Sequence, residues 1–317
     1  MRADVTPEII LQPFINRLRK NARHWGKWAR RASIDCYRLY DRDVPEFPLV
    51  VDRYGHHLHV QELAEVYASG PIDRAAWAAS LQSLAADATA VSAANVVVKA
   101  RHGQRPEAQY RRVSNSEHDF VVTEAGLRFV VNLERYLDTG LFIDHRDTRQ
   151  LIRSRAAGRR VLNLFCYTGT FTVYAAAGGA VFSLSVDMSN SYLDWARRNF
   201  ELNGVDLTRH HLLQVDALQF LQHSQSGQQF DLVVLDPPSF SNSKRMQGVL
   251  DIQRDHASLI EQCGKFLSPD GELMFSTNLR DFRLDAPALS KWHITELNRI
   301  PPDFRNRRIH KSWWLRR

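Results

Sequence analysis

Gly169, Asp187, Asp216 and Asp236 each stand just past a short apolar run, and together they have the spacing of a nucleotide-like binding set. Gly169 ends the string Asn163-Leu-Phe165-Cys-Tyr167-Thr168-Gly169. There a glycine permits close backbone approach, and a helix beginning at Thr170 offers free N–H groups to a carboxylate. The same glycine is also compatible with a plain turn. Asp187 follows eighteen residues later, near the roughly 20-residue offset at which an acid meets ribose hydroxyls. It is equally placed to cap the next helix, and Ser189 can share either task. Asp216, followed by Ala217, can accept from an exocyclic adenine amine or cap its own helix. Asp236-Pro237-Pro238-Ser239-Phe240 ends the fourth run. Its two prolines fix the exit path, expose neighbouring carbonyls and bar helix at Asp236. Such a loop can hold an aromatic ring against a base taken out of its stack.

The elements that must position these residues alternate from about residue 148 onward. Strands are expected over 161–165, 180–187, 211–216, 230–236 and 272–277, and helices over 148–155, 170–177, 191–202, 217–223 and 249–267. Strand–helix alternation with near-continuous apolar strands predicts an α/β, Rossmann-like, doubly wound sheet covered on both faces. Ligands bind such sheets beyond the carboxyl ends of the strands, where the residues above fall. The Gly169 turn alone is a weak signal, since it lacks the three-glycine dinucleotide fingerprint, but with the two acids and DPPSF at the fourth strand end it points to a class I methyltransferase using S-adenosylmethionine and not to a dehydrogenase.

Before residue 148 the rhythm differs. Residues 36–142 read mostly as short strands: CYRLY, PLVVDRYGHHLHVQEL with a turn at Tyr54-Gly55, ANVVVKAR, QYRRVS, FVVTE and LRFVVNL. Glu124-Ala125-Gly126 is a hairpin turn, and Pro71 opens an alanine-rich helix over 72–88. The expected organisation is a basic N-terminal helix (1–35), a smaller α+β substrate- or RNA-binding module (36–147) and a cofactor-binding domain (148–317).

Charge distribution suggests a partner. The formal net charge is +7. No acid lies between Ile9 and Ile34, where Arg17, Arg19, Lys20, Arg23, Lys27, Arg30 and Arg31 fall among Phe14, Leu18, Trp25 and Trp28. Such a helix is either a solvated amphipathic surface or a phosphate-contacting face, and the missing acids favour the second. Lys244 and Arg245, in the polar stretch 241–246, are further substrate contacts by position. Of the basic tail, Arg305, Arg307, Arg308, His310, Lys311, Arg316 and Arg317 can add RNA contacts, whereas Trp313, Trp314 and Leu315 belong to a last strand. The three cysteines (Cys36, Cys166, Cys263) show neither metal-ligand nor disulfide spacing, so no metal is expected and a reducing cytoplasm is the natural setting. Neither a signal peptide nor a membrane span is apparent in the sequence.

The strings LDTGLFIDHRDTR (137–149), NLFCYTGTFTVYAAAGGA (163–180), VDMSNSYLDWARRNFELNG (186–204) and DPPSFSNSKRM (236–246) resemble the RlmK-type family. NRLRKNARHWGKWARRASIDCYRLYD and DFRNRRIH (303–310) extend the resemblance over almost the whole chain. That family methylates guanine N7 in 23S ribosomal RNA of the large subunit, and in many bacteria forms the C-terminal half of the fused RlmKL protein. The resemblance implies S-adenosylmethionine lying against Asn163 to Thr170, including Phe165, Tyr167, Thr168 and Gly169. It puts Asp187 and Ser189 near the ribose, Met188 against adenine, and Asp216 with Ala217 at the amine. Thr139 to Arg146, with Asp144 and Arg146, closes over the methionine end, and Asp236 to Phe240 faces the base. The THUMP region and guanine-N2 half of the fused form are not in this sequence. RNA docking then falls to a separate polypeptide or to the N-terminal module, with 23S RNA or an assembly intermediate as partner.

N7 carries an available lone pair, so no base is needed, and alignment for in-line transfer supplies much of the acceleration. Asp236 is the candidate for stabilising the cationic product or holding the base, and Phe240 for stacking. Cytosine-C5 methylation, as in the related RlmI family, needs a cysteine nucleophile. The RlmI-like FSCS string is here Phe275-Ser276-Thr277-Asn278, without a thiol. A ribosome-assembly factor that binds the cofactor without turnover is the reading from a different class.

Overall fold

The computed structural model describes residues 7–63, 73–100, 118–136, 138–223, 227–241 and 249–317. The chain divides into two compact units. The first is Met1–Gly126 with Val131–Thr139 and Pro302–Asn306, and the second is Leu127–Val130 with Gly140–Pro301 and Arg307–Arg317.

In the first unit, helix α1 (Pro7–Arg31) precedes strands β1 (Cys36–Asp41), β2 (Leu49–Tyr54) and β3 (His57–Glu62). Helix α2 (Arg74–Thr89) then leads to β4 (Val96–Ala100), and β5 (Phe120–Glu124) follows. The sheet runs β1-β2-β3-β4, with antiparallel pairs up to β3 and a parallel β3–β4 pair, for which α2 is the crossover. Gly55, at φ +59°, makes the tight β2–β3 turn. Asp73 caps α2 by accepting from the N–H groups of Ala75 and Ala76.

Leu11, Phe14, Ile15 and Leu18 recur at helical spacing and enter the core with Leu39, Val51, Leu58, Val60 and Leu81. All seven cations of α1 named above lie on its exposed side, and none is paired with a carboxylate among the described residues. The sheet's other polar layer is buried: Arg38 makes two hydrogen bonds to Asp52 (2.7 and 2.9 Å). Asp303 accepts from Arg38 N–H at 2.8 Å, and Phe304 lies under the Arg38 guanidinium. These contacts hold the returning stretch Pro302–Asn306 in the first unit. The expected strand at QYRRVS lies outside the described residues.

The second unit begins within β6 (Leu127–Val131), past a turn in which Ala125 and Gly126 both have positive φ, as the hairpin pattern required. Then come α3 (Arg146–Arg155), β7 (Arg160–Leu164), α4 (Thr170–Ala177), β8 (Phe182–Asp187), α5 (Asn190–Leu202) and β9 (His210–Gln214). They are followed by α6 (Ala217–His223), β10 (Phe230–Leu235), β11 (Phe240–Ser241), β12 (Leu250–Asp251), α7 (Ile252–Cys263), β13 (Leu267–Thr277), β14 (His293–Leu297) and β15 (Lys311–Arg316). The seven-stranded sheet has the order β14-β15-β13-β10-β7-β8-β9. β9, β8, β7, β10 and β13 are parallel, and β15 runs antiparallel to both β13 and β14. This is the doubly wound α/β sheet that the alternation demanded.

β14 escaped the sequence pattern because its residues are mostly exposed and carry no apolar run. Alternation covers both faces. Leu162, Leu164, Val233 and Leu235 join the core under α6 and α7, whereas Val161, Leu232, Val234 and Met274 meet Ile152 and Ala175 of α3 and α4. From β7 the chain winds outward to β9, then returns to β10 on β7's other side. The strand order therefore reverses between β7 and β10, the switch point at which such sheets bind ligands.

Candidate functional site

The turn after β7 alternates into left-handed backbone: φ is +57° at Phe165, +50° at Tyr167 and +70° at Gly169. Two of these are not glycine, so surrounding bonds must impose the conformation. Cys166 N–H donates to the Val186 carbonyl and Gly169 N–H to the Cys166 carbonyl. Asn199 Nδ2 holds the Thr168 carbonyl at 2.9 Å, and the Thr168 hydroxyl donates to the Gly140 carbonyl at 2.6 Å. A Cβ at Gly169 would lie 2.8 Å from Phe200 and 3.0 Å from Ala196, so this glycine is required by the packing of α5 as well as by its φ.

Asp187 fastens that turn. Its Oδ2 accepts from Tyr167 N–H at 3.0 Å and its Oδ1 from Ser189 N–H at 2.9 Å. Burial pushes its carboxyl up to about 6, opposed by those backbone hydrogen bonds. The cap of α5 is Ser189, whose Oγ accepts from Tyr192 N–H. Asp216 performs the capping task and leaves one oxygen over. Oδ1 accepts from Leu218 N–H at the start of α6, while Oδ2 is buried without a hydrogen-bond partner. Burial raises this carboxyl too. A nucleoside with an exocyclic amine supplies the donor that Oδ2 lacks, so these residues fit the expected cofactor.

Met188 is partly buried against the core cluster, and Ala217 is buried as the first residue of α6. Asn163 turns beneath α4: its Nδ2 donates to Thr172 Oγ1 at 3.0 Å, and Thr172 meets Ser185 at 2.7 Å.

The segment from Gly140 to Arg146 crosses from the β7 turn to the end of β10. Gly140, at φ +95°, leaves no room for a side chain, since a Cβ would fall 2.1 Å from Trp195. Phe142 is exposed, its ring 5.3 Å from that of Tyr167, and its carbonyl accepts from Arg149. Asp144 and His145 form a 3-10 turn, and Arg146 is buried at the start of α3.

Asp236 stands at the end of β10. Its Oδ1 accepts from the Ser276 hydroxyl at 2.6 Å, and His145 Nε2 lies 3.9 Å from Oδ2. Pro237 is buried, Pro238 is half-buried, and the Ser239 hydroxyl donates to Asn278 Oδ1. Phe240 is 40% exposed, large for a phenylalanine. Thr277, where the cytosine-C5 pattern puts its cysteine, is buried and accepts from Leu279 N–H. Cys166 and Cys263 are both buried, and burial pushes both thiols up, away from the nucleophilic thiolate.

His310, expected among the RNA contacts of the basic tail, is instead buried against Asp144, and nothing in the spacing of Ser276, His145 and His310 links them to one another or to Asp236. Lys244 and Arg245 lie outside the described residues. Asp144, His145 and His310 have ligand atoms within 4.8 Å of one another. The two rings are only 10° from parallel, however, so their lone pairs run side by side and do not converge as a tetrahedral ion requires. Among the described residues no helix is long and apolar enough to cross a membrane.

A family model described as S-adenosylmethionine-dependent methyltransferase matches residues 62–307. The chain is 48% identical over 313 residues to "Ribosomal RNA large subunit methyltransferase K" of Neisseria meningitidis serogroup B, covering 98% of this chain and 88% of the relative. It is also 48% identical over 310 residues to "Ribosomal RNA large subunit methyltransferase K/L" of Pseudomonas entomophila, covering 96% of this chain but 42% of that relative. A solved structure of a proposed SAM-dependent methyltransferase from Streptococcus mutans matches with a TM-score of 0.75 at 24% identity, over 97% of this chain and 81% of the other.

Proposed function

Because the chain belongs to the S-adenosylmethionine-dependent methyltransferase family, we propose that it methylates guanine N7 in large-subunit ribosomal RNA. The observation carrying the substrate class is identity of 48% along 98% of the chain to a protein named for that RNA. N7 is favoured over cytosine C5 by chemistry, since Thr277 stands where a thiol would be required and Cys36, Cys166 and Cys263 are all buried.

When bound, the cofactor supplies a sulfonium methyl group that a ring nitrogen can accept without first losing a proton. The residues then have positioning work. Asp187 and Asp216 hold ribose and adenine, and the Gly140–Arg146 segment covers the methionine end. Asp236 accepts from the guanine edge that carries N–H donors, which leaves N7 on the opposite edge turned toward the methyl group. Its negative charge also offsets the positive charge that the ring acquires. Phe240 stacks on the base. The domain at 148–317, together with the Gly140–Arg146 segment that precedes it, carries this chemistry, and the helix at 1–35 and the rest of the module at 36–147 dock the RNA.

Mass-spectrometric mapping of ribosomal RNA with and without the gene tests this reading. Loss of one 7-methylguanosine is expected; loss of a 5-methylcytidine, or an unchanged map, overturns it. For the basic helix, reversing Arg19, Lys20 and Arg23 to glutamate is expected to weaken RNA binding. It should also flatten the salt dependence by about two to three units of log–log slope. An unchanged slope returns that helix to a solvated face.

A further inference from the structure

Two buried histidines lie face to face beside Asp236. The rings of His145 and His310 have centroids 3.9 Å apart, and both residues are almost fully out of solvent. They meet because β15 pairs antiparallel with β13, with Lys311 opposite Thr277, which brings His310 to the carboxyl end of the sheet.

The proton positions follow from the partners. His310 Nδ1 is 2.9 Å from Asp144 Oδ2, so that nitrogen carries the hydrogen and donates. His145 turns Nε2 toward Asp236 Oδ2 at 3.9 Å. A lone pair facing a carboxylate oxygen is repelled, so the hydrogen of neutral His145 belongs on Nε2. His145 Nδ1 and His310 Nε2 are then bare lone pairs, and neither has a hydrogen-bond partner among the described residues. Burial first, and His310 second, push His145 down to about 4, so it is neutral at physiological pH.

We propose that His145 is a positioning residue for Asp236, its Nε2–H orienting Oδ2 toward the target base while Ser276 holds Oδ1, and that His310, pinned by Asp144, fixes the plane and tautomer of His145. This rests on the reading of Asp236 as the group that grips the base. At 3.9 Å from Nε2 the attraction is electrostatic and too long for a hydrogen bond, so Oδ2 keeps its acceptor capacity for a base N–H while Ser276 fixes the carboxylate through Oδ1. A protonated His145 would draw Oδ2 into an ion pair and take that acceptor away. The titratable and charged groups facing His145 are His310, Asp236, Asp144 and Arg149, with the edge of Phe171 as an apolar wall.

The test uses the full chain with His145→Leu, His145→Gln, His310→Ala and Asp236→Asn. Methyl transfer to ribosomal RNA is followed against pH, with S-adenosylhomocysteine affinity by calorimetry and melting temperature alongside. His145→Leu is expected to lose about 10–100-fold in kcat with cofactor affinity retained. Glutamine, whose amide N–H reaches the Nε2 position, should recover most of that loss. His310→Ala removes the stacked ring and admits water, so His145 titrates nearer its ordinary 6.5. With cofactor saturating, that variant should lose kcat between pH 8 and pH 6, where the wild-type kcat is flat.

Equal losses for leucine and glutamine, or a His310→Ala profile parallel to the wild type, overturn the proposal. Should His145→Leu not fold, the His310→Ala profile decides alone. Wild-type turnover by Asp236→Asn removes the base-gripping reading and this inference with it. Impaired Asp236→Asn beside wild-type histidine variants removes only the positioning role.

Discussion

Asp236→Asn is expected to lower the methyl-transfer rate by about 10²–10³-fold while leaving S-adenosylhomocysteine affinity nearly unchanged. The substitution keeps an oxygen for the Ser276 hydroxyl, which now donates to Oδ1 at 2.6 Å. Local geometry should therefore survive, and what is lost is the charge and one acceptor. The carboxylate binds the developing cationic ring more strongly than the neutral one, so the loss belongs in kcat and not in KM alone. The residues proposed for the cofactor, Asp187 at the end of β8 and Asp216 just before α6, follow other strands than Asp236 does, so cofactor affinity serves as the control. Single-turnover rates beside calorimetry separate the two quantities. Wild-type turnover would remove Asp236 from the chemistry, and equal loss of rate and cofactor affinity would make it a cofactor residue.

The sequence carried what depends on local pattern. Helices α4 and α6 begin and end at the expected residues, because small or apolar runs there are bounded by Gly169 and Gly178 in one case and Asp216 in the other. Asp187 and Asp236 are legible for the same reason, each closing a mostly apolar inner strand, whereas Asp216 follows the half-exposed edge strand β9 and is marked mainly by the helix that starts after it. Contacts made by topology were not legible. His310 reaches His145, and Ser276 reaches Asp236, only because β15 folds back against β13 and β13 lies beside β10. No spacing of 3.6 or 2 residues encodes a meeting between positions 145 and 310. Asp303 is a similar case. It closes a buried polar layer with Arg38 in the first unit, 265 residues away in sequence. Gly169 can make room for a ligand, and the fold also needs its missing Cβ for Phe200 of α5. A glycine's neighbours across the fold cannot be seen from its own string.

Cofactor affinity should fall with acid, and Asp187 is the reason. Its carboxyl is raised to about 6 from an ordinary value near 3.8, principally by burial. The sign follows directly. Because the raised group holds its proton in the fold, its contribution to stability declines as pH rises from about 4 through 6. The ionised form is the one that can accept from ribose hydroxyls, so binding favours deprotonation and releases a proton. Affinity for S-adenosylhomocysteine is therefore expected to be flat above about pH 7 and to weaken by up to about tenfold per pH unit below 6. Proton release should be measurable by calorimetry in buffers of different ionisation enthalpy. Asp187→Asn tests the assignment further. Both carboxylate oxygens now accept backbone N–H groups, from Tyr167 and Ser189, and an asparagine must turn an NH₂ toward one of them. That unsatisfied donor pair loosens the turn at Tyr167, whose left-handed backbone depends on it. A loss of about 100-fold in affinity, with the acid dependence gone, is the expected outcome. Wild-type affinity in that variant, or an acid limb that persists in it, would move the ribose contact to another residue.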